Sequence, residues 1–279
     1  MKYLIAGGTG QLGTELTNLM KVTGRSYISL GSEDMDILDK NKVRKILRAE
    51  NPSVVFHCAA YTAVDKAEEE KELNWKVNVE GTKNVAEICK ELGCIFVYIS
   101  TDYVYNGESS KEYKENDLLN PINEYGKAKL AGEKEVQKLL DKYYIIRTSW
   151  VFGKYGANFF YTMKKLAQSY KQLNVVSDQL GRPTETKTLA NFMVHLVESK
   201  QDFGVYNLSN EGRCSWYEFA QEILKDEQVE VKPILSKDYP QKARRPKNSV
   251  MCIEKAKNTG FNIPHWKEAL NELKNSIVS

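Results

Sequence analysis

The chain has 279 residues, of which 42% are hydrophobic and 28% are charged. These proportions are typical of a globular protein with a sizeable core, in one large domain or two unequal ones. The 40 basic and 37 acidic residues leave a formal net charge of +3 and are interleaved along the chain, so no nucleic-acid partner is predicted. No apolar run approaches the roughly 18 residues of a membrane span, so no membrane partner is predicted either.

Cysteine usage and the N-terminus favour a cytoplasmic protein. The five cysteines are scattered and form no C-x-x-C pair, which indicates reduced thiols rather than disulfides or a zinc site. The chain runs from its first residues directly into a glycine-rich turn, which leaves no room for a secretory leader. The three histidines show no spacing typical of a metal site. We therefore predict no metal.

Apolar runs alternate with helical patterns through the first half of the chain. Strands are predicted at 3–6, 26–30, 54–58, 94–100 and 144–147, and helices at 11–21, 40–50, 72–92 and 124–140. This alternation predicts an α/β fold with a doubly wound parallel sheet, Rossmann-like in type. Beyond 151 the alternation weakens, with helices predicted at 188–199 and 216–226. We predict a dinucleotide-binding domain at 1–150 and a smaller, mixed α/β substrate-binding region at 151–279, some segments of which return to the first domain.

A glycine-rich turn follows the first predicted strand and precedes the first predicted helix. Glycine at such a turn permits a tight bend and close approach of the backbone to a pyrophosphate at the helix N-terminus. Three glycines alone are also compatible with a simple turn, but the position favours a dinucleotide. The predicted contacts in this turn are Gly7, Gly10, Gln11, Leu12 and Gly13.

The choice between NADPH and NADH stays open at this stage. The second predicted strand is followed by Gly31 and Ser32, with no acid at the strand end to reject a 2′-phosphate and no arginine to bind one. Asp36 and Ile37 come next and are predicted to contact the adenine side of the cofactor. The alternative for Asp36 is a cap of the helix at 40–50, for which Asp39 is better placed.

Tyr125 and Lys129 stand four residues apart in a predicted helix, so they share one of its faces. A neighbouring ammonium favours the phenolate and lowers the pKa of a tyrosine, which is ordinarily about 10. Thr101 ends the fourth predicted strand, and ligands of open parallel sheets bind at such strand ends. A Tyr and Lys pair could arise by chance in a chain with 16 tyrosines. Together with Thr101 and the glycine turn, it predicts a catalytic site for proton exchange with an alcohol or ketone oxygen.

Seven segments, in the same order along the chain, carry a family resemblance. The sequence resembles the extended short-chain dehydrogenase/reductase superfamily and, within it, the dTDP-4-dehydrorhamnose reductase family. The matching segments are 10–13, 59–68, 100–104, 125–133, 147–151, 178–184 and 244–249. Arg182 departs from the smaller residue that commonly precedes Pro-Thr in that family.

This resemblance implies a reaction and a role for each residue. Hydride would pass from NADPH or NADH to the C4 ketone of dTDP-4-dehydro-L-rhamnose, while Tyr125 donates a proton to the ketone oxygen. Thr101 would hydrogen-bond that oxygen, and Lys129 would lower the pKa of Tyr125 and bind the nicotinamide ribose. The further cofactor contacts implied are Ala59, Ala60, Tyr61 and Thr62. The implied contacts with the dTDP-sugar substrate are Thr101, Asp102, Trp150, Arg244 and Arg245.

Two alternative functions remain. A sugar-nucleotide epimerase or dehydratase would share the fold, but dehydratases usually carry an acid where Tyr103 stands here. A non-catalytic NADP-binding regulatory subunit is disfavoured by the complete set of Thr101, Tyr125 and Lys129. The resemblance is compatible with a homodimer, which some family members form through magnesium bound by C-terminal acids. Glu268 and Glu272 have a suitable spacing, but this spacing is common on exposed helices, so no metal is predicted.

Overall fold

The structure, a computed structural model, describes residues 1–278. Its strands are β1 (Lys2–Ala6), β2 (Ser26–Leu30), β3 (Val54–His57), β4 (Ile95–Thr101), β5 (Tyr143–Thr148), β6 (Val151–Phe152), β7 (Gln172–Val176), β8 (Leu180–Gly181), β9 (Thr184–Glu185), β10 (Gly204–Asn207), β11 (Cys214–Ser215) and β12 (Glu230–Ile234). Its α-helices are α1 (Gln11–Val22), α2 (Lys40–Glu50), α3 (Val64–Ala67), α4 (Lys71–Trp75), α5 (Thr82–Leu92), α6 (Glu124–Leu139), α7 (Phe159–Ser169), α8 (Thr186–Glu198), α9 (Trp216–Ile223), α10 (Glu254–Lys257) and α11 (Trp266–Val278). A π-helical turn, Lys76–Gly81, joins α4 to α5.

Six parallel strands form the central sheet, in the order β10-β5-β4-β3-β1-β2. Strands β1 and β3, inside the sheet, are mostly apolar and buried, as expected for a parallel sheet covered on both faces. The predicted doubly wound α/β fold is confirmed. The chain passes from β2, on one side of β1, to β3 on the other side. This change of direction leaves a crevice at the carboxyl ends of β1 and β3, where ligands bind in such sheets.

Helices cover both faces of the sheet. On one face, α1 and α8 pack through apolar side chains that include Leu16, Met20, Leu189 and Phe192. On the other face, α2, α5 and α6 contribute a second apolar cluster. The carboxylate of Asp39 accepts the backbone N–H groups of two residues in the first turn of α2. The prediction of Asp39 as the cap of this helix is confirmed.

A smaller cluster lies beyond residue 150. Strands β7 and β12 pair in parallel, and α7, α9 and α11 pack with them around Phe152, Leu173, Phe219 and Trp266. Two later elements lie with the first half instead, because α8 packs on α1 and β10 pairs with β5. The division into 1–150 and 151–279 stays a prediction. Across residues 1–278, we find no helix with both the length and the apolar character needed to cross a membrane.

A buried ion pair fixes α6 to the sheet. The Arg147 guanidinium, on β5, lies 2.7 Å from the Glu133 carboxylate on α6, and the two side chains are 2% and 1% exposed. Arg147 also donates to the hydroxyl of Tyr105 at 2.9 Å and to the backbone carbonyl of Glu115 at 2.8 Å. The guanidinium therefore has partners on several sides, as a buried charge requires. These bonds hold the helix that carries Tyr125 and Lys129.

We expect Glu133→Gln to lower the free energy of unfolding by about 3–5 kcal/mol, because it leaves the buried Arg147 charge uncompensated. Urea titration followed by circular dichroism measures this change. The matched control is Glu91→Gln, since Glu91 pairs with Arg44 and Arg48 at the surface. Water screens that pair, so the control should change stability far less. Similar losses in both variants would contradict the anchoring role of Glu133.

Candidate active site

A cleft of about 500 Å³ lies at the carboxyl ends of β1, β3, β4 and β5. It brings together the glycine turn after β1, the loop after β3, the end of β4 and the first turns of α6. The predicted site residues that line it are Gly10, Gln11, Leu12, Gly13, Ala60, Thr62, Thr101, Asp102, Tyr125, Lys129 and Trp150. Segments far apart in the sequence thus meet at one place on the sheet.

Close backbone packing explains the glycine turn. Gly7 has a φ of +81°, and a methyl group placed on it would lie 2.6 Å from the backbone nitrogen of Ala59. A methyl group on Gly13 would lie 2.1 Å from the carbonyl oxygen of Gly7. Only glycine lets the start of α1 lie this close to the strands. No side chain caps α1 at Gly10, so its first N–H groups are free to bind a phosphate.

Asp36 and Ile37 lie in the loop after β2 and do not line the cleft. The exposed Asp36 carboxylate accepts the backbone N–H of Leu38 at 2.9 Å. Ile37 is buried against the π-helical turn, where a methyl group on Gly81 would lie 2.6 Å from its Cδ1. Their contact with an adenine stays a prediction.

Asn78 holds the loop after β3 in place. Its side-chain amide donates to the carbonyl of Tyr61 at 2.9 Å and accepts the backbone N–H of Tyr61 at 3.1 Å. The Tyr61 hydroxyl donates to Glu70 at 2.6 Å, and Tyr61 does not line the cleft. Asn78 was not predicted from the sequence. The sequence shows there only an asparagine, which disfavours helices, inside the helix predicted at 72–92.

Glycine also brings Tyr125 beside Thr101. Asn123 caps α6 by accepting the backbone N–H of Gly126 at 2.7 Å. A methyl group on Gly126 would lie 2.3 Å from the carbonyl oxygen of Tyr103, so the first turn of α6 packs tightly on the segment after β4. The rings of Tyr103 and Tyr125 meet edge to face, with centroids 6.1 Å apart. The Thr101 hydroxyl accepts the backbone N–H of Tyr103 at 3.2 Å.

The electrostatics of Tyr125 differ from the prediction. Burial raises the pKa of Tyr125, the nearby Asp102 carboxylate raises it further, and the Thr101 hydroxyl lowers it. The prediction that Lys129 lowers this pKa is wrong in this cleft. Burial lowers the pKa of Lys129 itself to about 7, so its amine carries only part of a charge at neutral pH. Tyr125 consequently keeps its proton, as a proton donor must.

Four buried polar atoms of residues that line the cleft lack hydrogen-bond partners among residues 1–278. They are Nδ1 of His57, the Ser100 hydroxyl, the Thr148 hydroxyl and Oδ2 of Asp102. Buried polar atoms in folded proteins are normally paired, so these atoms point to a polar ligand. Burial also raises the pKa of Asp102 to about 7. Its other oxygen, Oδ1, accepts a hydrogen bond from Thr101 at 3.1 Å.

His57 and Cys58 line the cleft without adding charge to it. Burial lowers the pKa of His57 to about 3 and raises the pKa of Cys58 to about 12. One ring nitrogen of His57 lies 3.2 Å from the hydroxyl of Thr82. Neither residue was predicted to belong to the site, and a neutral lining agrees with a structural role.

The two predicted phosphate-binding arginines do not line the cleft. Arg244 is exposed, and its backbone carbonyl accepts a hydrogen bond from Asn123 at 2.8 Å. The Arg245 guanidinium is bound in bidentate fashion by Asp65, at 2.7 and 3.0 Å. Asp65 also accepts the backbone N–H of Ala243 at 3.0 Å. Their role as clamps for a diphosphate stays a prediction.

Aromatic side chains form one wall of the cleft. The Trp150 indole stacks on Trp216 with a centroid distance of 3.7 Å and an interplanar angle of 11°. Phe159 packs against Trp216 at 4.6 Å, and all three residues line the cleft. Trp150 was predicted from the sequence to contact the substrate, whereas Trp216 and Phe159 were not predicted. Such a wall suits the apolar face of a sugar or a base.

The C-terminal acids are engaged with neighbouring groups. Glu272 pairs with Lys187 at 2.9 Å, and Glu268 accepts the backbone N–H of His265 at 3.2 Å. Within the described chain, no group of three or more histidines, cysteines or acids is arranged to hold a metal ion.

Comparison with known proteins identifies the family. The family described as RmlD substrate binding domain matches residues 1–278. The spore coat polysaccharide biosynthesis protein SpsK of Bacillus subtilis is 40% identical over 273 residues, which cover 97% of this chain and 96% of that protein. The dTDP-4-dehydrorhamnose reductase of Aggregatibacter actinomycetemcomitans is 36% identical over 289 residues, with 98% of each chain covered.

A solved structure agrees with this assignment along nearly the whole chain. The crystal structure of dTDP-4-dehydrorhamnose reductase from Bacillus anthracis, in complex with NADP, superimposes with a TM-score of 0.95. It is 37% identical to this chain and covers 99% of both chains. The chain therefore belongs to the RmlD substrate binding domain family.

Proposed function

We propose that the protein reduces the C4 ketone of dTDP-4-dehydro-L-rhamnose to dTDP-L-rhamnose with NADPH. The names of its relatives and the NADP in the Bacillus anthracis structure support this substrate and cofactor. One observation carries the proposal: Thr101, Tyr125 and Lys129 line the same cleft as the glycine turn. NADH is the alternative cofactor, because the loop after β2 carries no group selective for a 2′-phosphate.

The residues present fit a dinucleotide. The uncapped start of α1 and the glycines beneath it would hold the pyrophosphate. Lys129, whose amine lies 4.0 Å from the centroid of the Tyr98 ring, would bind the nicotinamide ribose hydroxyls. When bound, the reduced nicotinamide supplies the hydride.

The chain's own groups would complete the reduction. Tyr125 would donate its hydroxyl proton to the ketone oxygen, which becomes the new alcohol. The Thr101 hydroxyl would hydrogen-bond the same oxygen and fix its position. Thr101 is held by the backbone N–H of Tyr103 and by Asp102, so its orientation is set before the substrate arrives.

The competing functions have less support. A dehydratase of this fold usually carries an acid at position 103, where this chain has Tyr103, and burial raises the pKa of Tyr103. That side chain therefore stays neutral at pH 7. A non-catalytic NADP-binding subunit would have no use for the assembled catalytic residues. A cytoplasmic location and a homodimer stay predictions.

We expect Tyr125→Phe to lower kcat about 10²–10⁴-fold, because the proton donor is removed while the ring remains. The assay follows the loss of nicotinamide absorbance with freshly made dTDP-4-dehydro-L-rhamnose. Tyr206→Phe is the control, since it removes a buried hydroxyl on β10, at the edge of the sheet. No turnover by the wild type would refute the reductase function. Equal rates in Tyr125→Phe and the wild type would refute the role of Tyr125.

We expect Lys129→Met to weaken NADPH binding. The variant should also lose one contribution to the pH dependence of the free energy of unfolding. The pKa of Lys129 is lowered from 10.5 to about 7 in the fold, so the unfolded chain binds more protons between those pH values. Wild-type stability then rises across this window, by up to about 5 kcal/mol at 1.36 kcal/mol per unit. The variant lacks this rise.

Urea titrations from pH 7 to pH 10 and fluorescence titrations with NADPH measure the two effects. Lys127→Met is the control, because Lys127 lies on the exposed side of α6 and pairs with Glu124. It should leave both the cofactor affinity and the pH dependence as in the wild type. Unchanged NADPH affinity in Lys129→Met would show that Lys129 does not bind the ribose.

A further inference from the structure

Residues 178–184, one of the segments that carry the family resemblance, have no role in the chemistry proposed above. In the structure, part of this segment fixes the backbone at Trp150. The Ser149 hydroxyl donates to the carbonyl of Arg182 at 2.6 Å, and the backbone N–H of Thr184 donates to the carbonyl of Trp150 at 3.2 Å. The chain on both sides of the Trp150 Cα is thereby tied to one neighbouring segment.

The same segment borders the Trp150 side chain. A methyl group placed on Gly181 would lie 2.4 Å from Cε2 and 2.6 Å from Cζ2 of the Trp150 indole. Strand β8, which contains Gly181, pairs with β11, and Trp216 directly follows β11. The Trp216 ring stacks on the Trp150 indole at 3.7 Å. The ribbon formed by β8 and β11 therefore places two neighbours beside the indole: Gly181, within β8, and Trp216, directly after β11.

Trp150 is held in a conformation that it would rarely adopt by itself. Its φ is +49°, in the left-handed region, which costs a bulky residue about 1–2 kcal/mol. Such strain persists where the surroundings over-determine the conformation, and it is common at functional sites. Here hydrogen bonds to Arg182 and Thr184 stabilise this conformation of the backbone. Packing against Gly181 and Trp216 stabilises the position of the side chain. The ribbon thus specifies where the indole lies in the cleft.

We propose that Gly181 and Trp216 are positioning residues that hold the Trp150 indole as the wall of the sugar subsite. The proposal rests on the proposed function and on the contact of Trp150 with the substrate that the family resemblance implies. The C–H face of a deoxyhexose suits an indole, and a wall fixed in advance binds it without ordering a mobile ring. The two positioning residues then determine substrate affinity, while Tyr125 and Lys129 act on the reacting oxygen and the cofactor.

Gly181→Ala is the direct test, because the three atoms nearest to the added methyl group all belong to the Trp150 indole, which it would displace. We expect the KM for dTDP-4-dehydro-L-rhamnose to rise about tenfold to a hundredfold, with a much smaller change in kcat. The dissociation constant of NADPH should stay at the wild-type value. Trp216→Leu should give the same pattern, and Trp216→Phe should recover most of the affinity because it keeps an aromatic face.

Trp266→Leu is the matched control. Trp266 belongs to the same apolar cluster as Trp216, but its ring packs on Phe219 and His265. The control should lose stability and keep the wild-type KM. An equal rise of KM in the control would show that Trp216 acts only through general packing, and it would overturn the proposal. A wild-type KM in both Gly181→Ala and Trp216→Leu would overturn it as well.

A spectroscopic measurement separates this proposal from the proposed reaction. Two stacked indoles give a coupled circular dichroism signal that needs no substrate. Gly181→Ala should reduce that signal as strongly as Trp150→Phe does, whereas Trp266→Leu should retain it. A full signal in Gly181→Ala would overturn the positioning role even if the enzyme is active. Absence of wild-type turnover would instead refute the reductase function.

Discussion

The active site depends on the tight attachment of α6 to the sheet. The Glu133 and Arg147 pair anchors the middle of the helix at 2.7 Å. Gly126 lets its first turn reach the carbonyl of Tyr103, and Gly132 lets a later turn reach the π-helical turn, where a methyl group would lie 2.5 Å from the carbonyl oxygen of Asn78. Because the same helix carries the proton donor and the amine, these contacts place both groups in the cleft. The geometry is thus built into the fold before any ligand binds.

Burial dominates the electrostatics of this cleft. It keeps the Tyr125 hydroxyl protonated, lowers the pKa of Lys129 to about 7 and raises the pKa of Asp102 to about 7. A cleft of largely neutral groups suits a ketone, which develops charge only as the hydride arrives. These groups lower the stability of the folded protein, because a buried amine and unpaired polar atoms are unfavourable in the folded chain. Function and stability therefore oppose each other at these residues.

Much of this arrangement could be predicted from the sequence. The strand and helix periodicities predicted the parallel sheet, and the ends of its strands indicated where the glycine turn, Thr101 and Tyr125 would meet. Three features could not be predicted, because they depend on contacts between distant segments: strand β10 at the sheet edge, the amide of Asn78 on the loop after β3, and Trp216 against Trp150. The sign of the pKa shift at Tyr125 was also predicted wrongly, since spacing on a helix shows a neighbouring charge but not the burial of both groups.

The proposed reduction requires that Tyr125 enters the reaction as a neutral phenol. Ultraviolet difference spectroscopy between the wild type and Tyr125→Phe, recorded as the pH is raised, isolates the ionisation of this one side chain. The account predicts that no phenolate from Tyr125 appears below about pH 10, the ordinary pKa of tyrosine. A phenolate that forms near neutral pH would contradict it, and would show that Lys129 rather than burial controls the site.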